Sequence, residues 1–162
     1  MAVEYKSTGF IEAIQFFRKK LDVTSEHWTD LWKEAHDTAF TVAGATKADL
    51  LADLRRSVDK AISEGKTIAD FRKEFDETVQ KHGWQYKGNR GWRTRVIYET
   101  NLRTAYSAGR YAQMTDPDVQ RARPYWQYRH GGSADPREQH LSWDGMVLPA
   151  DDPWWNTHYP PN

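Results

Sequence analysis

Cysteine is absent from the 162-residue chain, which removes disulfides, thiolate metal sites and a cysteine nucleophile from within it. Lysine stops at Lys87, so every permanently cationic side chain from Arg90 onward is arginine. All seven prolines fall at or after Pro117. No apolar run approaches the roughly 20 residues of a membrane span, and the start MAVEYKSTGF lacks the apolar centre of a signal peptide. A soluble protein made inside the cell is therefore expected. A surplus of one charge is also missing. Lys+Arg number 23 and Asp+Glu 23, so net charge exerts no general pull toward nucleic acid or an anionic membrane, and any such pull must be local.

What is present is a heavy aromatic load of eight Trp and eight Tyr, suited to broad contact surfaces as well as to a core. The length fits one ordinary domain, or a helical domain with a small second lobe. Phe10, Ile14, Phe17 and Leu21 recur at helical steps and predict a first helix with one apolar stripe. Ser25 is placed to cap a second helix on which Trp28, Trp32, Ala35, Ala39 and Val42 share a face, with Gly44 as its stop. Thr46 with Asp49 reads as a capping box for a third, buried through Leu51, Leu54, Val58 and Ala61 or Ile62 and ending near Gly65. Thr67 with Asp70 repeats the device for a fourth, which uses Ile68, Phe71, Phe75 and Val79 and ends at His82-Gly83.

Residues 85–91 are polar and contain glycine, so they read as a loop or linker between a helical region over 1–84 and a second region over 92–162. The second region opens on WRTRVIYETNLRTAYSAGRYAQ, Trp92 to Gln113, a long helix whose Tyr98, Leu102, Ala105, Gly109 and Ala112 share a core face. Beyond Asp116-Pro117 the helical period fails. PYWQYRH and GMVLP fit two short strands, and DDPWWNTHYPPN is expected to be irregular and held by aromatic packing. The predicted fold class is mainly α: about four N-terminal helices plus a long helix, then a small mixed α+β lobe rich in Pro, Gly and aromatic residues.

Two stretches bear chemistry. On the long helix Arg95, Glu99 and Arg103 are spaced for ion pairs, each worth only about 0.3–0.5 kcal/mol when exposed. A solvated, self-paired face is the plain reading. Between Arg90 and Arg129, however, eight arginines meet only Glu99, Asp116 and Asp118, a local excess that suits gripping a partner's phosphates or carboxylates. The candidate contact residues are Arg95, Arg103, Arg110, Arg121 and Arg123, joined by Trp154 and Trp155. The second stretch, YRHGGSADPREQHLSWDG, places His130, His140 and Asp144 together, with His158 as a later contributor. His plus Asp suits a divalent ion, and Arg129, His130, Arg137 and His140 could serve a metal-free nuclease. No HExxH, cysteine pair or phosphate-binding glycine loop is present, and Ser133 or Ser142 near a histidine marks no strained nucleophile turn. The favoured reading makes turns of Gly131-Gly132 and Asp135-Pro136 and gives the histidines structural hydrogen bonds; no metal or cofactor is expected.

IYETNLRTAYSAGR at Ile97 to Arg110, YWQYRHGGSADPREQH at Tyr125 to His140, WDGMVLPADDPWW at Trp143 to Trp155 and the terminal HYPPN resemble the Mu F family of phage head morphogenesis, or minor capsid, proteins. WTDLWKEAHDTAFTVAG and EGKTIADFRKEF are similar to the helical N-terminal region of the same family, so the likeness covers nearly the whole chain. The resemblance implies a structural protein of a tailed-phage virion, in several copies inside the head near the portal, made in the bacterial host cytoplasm. It implies the portal protein as partner, then capsid or scaffold protein and packaged DNA, with no membrane. The alternative is a nuclease or toxin-like enzyme using the His/Arg/Asp group of residues 129–144. Chains of the family commonly continue past a PPN-like segment into Trp-Gly-x-Cys-x-Cys. If those cysteines bind metal with His140 or His158, half of that site lies outside this sequence.

Overall fold

The computed structural model describes residues 9–31 and 38–159, and within them the chain is mainly helical with two small two-stranded sheets. It divides into two compact units, Met1–Arg110 and Tyr111–Asn162.

In the first unit, helix α1 (Ile11–Lys19) buries Ala13 and Phe17 and carries Glu12 in its first turn and Arg18 and Lys19 in its last, as the helix dipole favours. The predicted stripe breaks after Phe17. Lys20 is extended and Leu21 is exposed, because Leu21–Asp22 forms strand β1, paired parallel with β2 (Ala39–Phe40). The second predicted helix is corrected at both described ends. Trp28–Asp30 is a short 3-10 turn, and the helix does not reach Val42 because Ala39–Phe40 is strand. Ser25 is no cap: its hydroxyl pairs with that of Thr41 at 2.8 Å. Phe40, Thr41 and Val42 are aromatic or β-branched residues that suit extended backbone, which outweighs the helical spacing. Trp32 and Ala35 lie outside the described residues.

Helix α2 (Ala48–Glu64) buries Leu51, Leu54, Val58, Ala61 and Ile62 and ends at Gly65, whose φ of 68° only glycine adopts without strain. Its capping box does not form. The residue at the cap is Lys47, and Asp49 instead accepts from the Leu50 N–H at 2.9 Å. Helix α3 (Ile68–His82) has the predicted box: Thr67 accepts from the Asp70 N–H at 3.3 Å while Asp70 accepts from the Thr67 N–H at 3.1 Å. Phe71 and Phe75 are buried and Val79 half-buried. Residues 85–91 lie within this unit, where Tyr86 packs edge-on against Phe75 at 5.3 Å.

Helix α4 (Arg90–Met114) is the long helix, and its buried residues are Arg93, Thr94, Ile97, Ala105 and Gly109. Tyr98 and Leu102 are half-buried against the core, whereas Ala112 is exposed, one turn beyond where the predicted face stops burying. Gly109 is the close-approach point. A Cβ there would lie 2.7 Å from the Ala13 backbone nitrogen and 2.9 Å from the Phe10 ring, so the α1 backbone approaches α4 directly at this point.

In the second unit, Asp116 caps helix α5 (Pro117–Ala122) through the N–H groups of Asp118 and Val119. Strands β3 (Tyr125–Gln127) and β4 (Val147–Pro149) pair antiparallel, Trp126 opposite Leu148. Helices α6 (Glu138–Ser142) and α7 (Trp155–His158) are short. The alternation of the hairpin sends Trp126 inward, where Ala150 and Trp155 complete a core flanked by Tyr111, Leu148 and Tyr159.

Candidate functional site

The arginines divide by what each side chain touches. Arg90 grips Asp76 with two hydrogen bonds of 2.7 Å, which holds the Asp76 carboxyl below its usual range. Arg93 is buried. It donates to the carbonyls of Ala43 at 3.1 Å and Lys87 at 2.8 Å and lies 5.8–5.9 Å from the rings of Trp84, Tyr86 and Trp92. Desolvation lowers its pKa, yet a guanidinium stays charged in a protein. Two of the eight arginines counted in the local excess are thus structural.

Arg95, Arg103 and Arg110 are exposed on α4. Arg103 pairs with Glu99 at 3.2 Å, whereas Arg95 and Arg110 make no ion pair among the described residues. In the second unit Arg121 pairs with Asp118, and Arg123 is exposed without an ion pair among the described residues. Trp154 and Trp155 belong to packing more than to surface. Trp155 is 5% exposed and donates its indole N–H to the Pro149 carbonyl at 2.8 Å, and Trp154 is half-buried, edge-on to it at 4.9 Å.

The histidines of the second stretch gather around Trp143 rather than around a cleft. Tyr128 Oη and His140 Nδ1 are 2.9 Å apart, and His140 packs on Trp143 at 5.5 Å. His158 stacks on Trp154 at 4.0 Å, meets Trp143 edge-on at 4.8 Å and has its Nδ1 2.9 Å from the Trp154 carbonyl. His130 serves its own turn: Nδ1 accepts from the Gly132 N–H at 3.1 Å, and its backbone N–H donates to Asp144 at 3.0 Å. Asp144 also faces Arg129 at 3.5 Å. Arg137 makes no described side-chain contact. Among the described residues no three His, Asp or Glu side chains stand where they could hold one metal ion. The arrangement orders a loop and a tail around two tryptophans, since His130, His140, Asp144 and His158 each have a partner within their own segment.

Arg93 and the His82 bridge are not among the candidates that the sequence offers. His82 lies 2.7 Å from Asp53, which also receives Lys81 at 2.7 Å and pairs with Arg56, so one nearly buried carboxylate ties α3 to α2. The step from Arg93 to Ile97 on one helix face was the available signal for the first. For the second, only a lysine in the last turn of α3 hinted at anything.

The family model described as Phage Mu protein F like protein matches residues 52–162. The chain is 40% identical over 166 aligned positions to protein F of Escherichia phage Mu, a protein named for capsid assembly; the match covers 93% of this chain and 37% of that protein. It is 39% identical over 147 positions to the Mu-like prophage FluMu F protein of Haemophilus influenzae, covering 84% of this chain and 35% of that one. The chain therefore spans a little over a third of the length of these relatives. No solved structure matches it. With matched residues extending from α2 through both units, the chain belongs to the Phage Mu protein F like family.

Proposed function

We propose that the chain is a structural part of a tailed-phage head and acts in head assembly by docking on other head proteins rather than by catalysis. Its partner is the portal protein inside the head, with capsid or scaffold protein and packaged DNA as further contacts, and several copies serve each head. The observation that carries this reading is membership of the family over residues 52–162, joined to the capsid-assembly name of the phage Mu relative. The geometry supports it. A nuclease or toxin-like reaction would need His130, Arg137, His140 and Asp144 to converge on an open site, whereas three of them are engaged in ordering their own loop. Arg95, Arg110 and Arg123 are exposed and make no ion pair among the described residues, which leaves them to partners. Among the described residues no helix is long and apolar enough to cross a membrane.

The direct test is mixing the purified chain with purified portal protein and measuring mass by size-exclusion chromatography with light scattering. The expected result is a portal oligomer carrying several copies of the chain. Separate elution of the two at micromolar concentration would remove the portal as partner.

A further inference from the structure

Helix α4 exposes one mixed face. At about 100° per residue, Trp92, Arg95, Val96, Arg103, Tyr106 and Arg110 fall within an arc of about 100°, opposite buried Thr94, Ile97 and Ala105. Trp92 is 50% exposed, Val96 38% and Tyr106 36%. Single exposed apolar residues are ordinary, but here three share a stripe with cations. Arg95 and Arg110, about 22 Å apart along the axis, make no ion pair among the described residues, while Arg103 between them is held by Glu99 at 3.2 Å.

We infer that this face docks an acidic amphipathic helix of a partner protein, with the apolar side of that helix on Trp92, Val96 and Tyr106 and its carboxylates on Arg95 and Arg110. The inference rests on the reading that the chain works by docking on other head proteins. Charge complementarity selects this occupant. A second copy of the same face would set guanidinium against guanidinium. Duplex DNA gains nothing from the apolar residues and receives no help from a net charge of zero. An acidic helix satisfies both kinds of group at once, since i, i+3, i+4 and i+7 anchors fill an apolar strip while flanking carboxylates reach the guanidiniums of Arg95 and Arg110.

The test uses the full chain and two labelled helical peptides of about 20 residues, long enough to span about 30 Å. They share one Ala/Leu face and carry either Glu or Gln at the flanking positions; fluorescence anisotropy in about 0.15 M salt reads binding. The expected result is at least about tenfold tighter binding of the Glu peptide, a preference lost in the Arg95→Glu/Arg110→Glu double variant and turned toward a Lys peptide. Trp92→Ala should weaken both original peptides. Circular dichroism of the double variant should match the parent, because both arginines are exposed. Equal affinity for Glu and Gln peptides, a preference that survives the double variant, or displacement of the Glu peptide by lower concentrations of duplex DNA would overturn the inference. Heads that contain the chain while the peptide preference is missing would remove this docking face alone. A peptide preference without the chain in heads would remove the head role alone.

Discussion

Gly109 and Arg93 are the two residues at which a small change should be felt most. A methyl group at 109 would lie 2.7 Å from Ala13 N and 2.9 Å from the Phe10 ring, and the first of these neighbours is backbone. Gly→Ala inside a helix ordinarily gains up to about 1 kcal/mol, but here the overlap should win, so Gly109→Ala is expected to cost on the order of 1–3 kcal/mol and Gly109→Leu more. Urea denaturation of both variants checks this. A Gly109→Ala protein more stable than the parent would contradict the crossing of α1 and α4. Arg93→Ala leaves the carbonyls of Ala43 and Lys87 without their donor and strips a side chain from between aromatic rings, so a loss of about 2–3 kcal/mol is expected. Arg95→Ala and Arg103→Gln, four-fifths exposed in the second case, should stay within about 0.5 kcal/mol of the parent in the same melts.

The two capping boxes read from the sequence separate cleanly at the level of the helix. Thr67→Ala removes an acceptor for the Asp70 N–H and should destabilise by about 1 kcal/mol, whereas Thr46→Ala should be nearly neutral because α2 starts from Lys47. Asp70 adds a pH signature. The Thr67 hydroxyl and N–H hold its carboxyl below its usual 3.8, so its contribution to folding is fully present above that value and disappears as pH falls through the lower folded value. The stability gap between parent and Asp70→Asn should therefore be constant from neutral pH down to about pH 4 and close below it; a gap that persists in strong acid would refute the assignment. The same comparison shows what a sequence makes legible. Helices α1 to α3 are legible because Phe17, Leu51, Leu54, Phe71 and Phe75 fall at helical steps and Gly65 and Gly83 punctuate them, and α4 because Tyr98, Leu102, Ala105 and Gly109 share a face. The β1–β2 pair was not, because a two-residue parallel ladder between Leu21 and Ala39 leaves no period to read. His140 and His158 are legible as residues, but their partner Trp143 decides their role, and the ring packing of Trp143 on His158 across 15 residues has no local signature.

At the scale of the whole molecule, 23 positive charges balance 23 negative ones, and two of the arginines that gave the second half its excess are engaged inside the first unit. The purified chain is accordingly expected to bind duplex DNA weakly at physiological salt, and a titration in which tight binding falls steeply with salt would argue for a DNA-gripping role instead. The relatives are more than twice as long as this chain. The proposed function makes the chain a structural component of the head. Quantitative mass spectrometry of purified proheads and DNA-filled heads tests it most directly. The chain is expected in both, at a copy number far below that of the major capsid protein. Its absence from both, or an abundance equal to the major capsid protein, would contradict the proposed role.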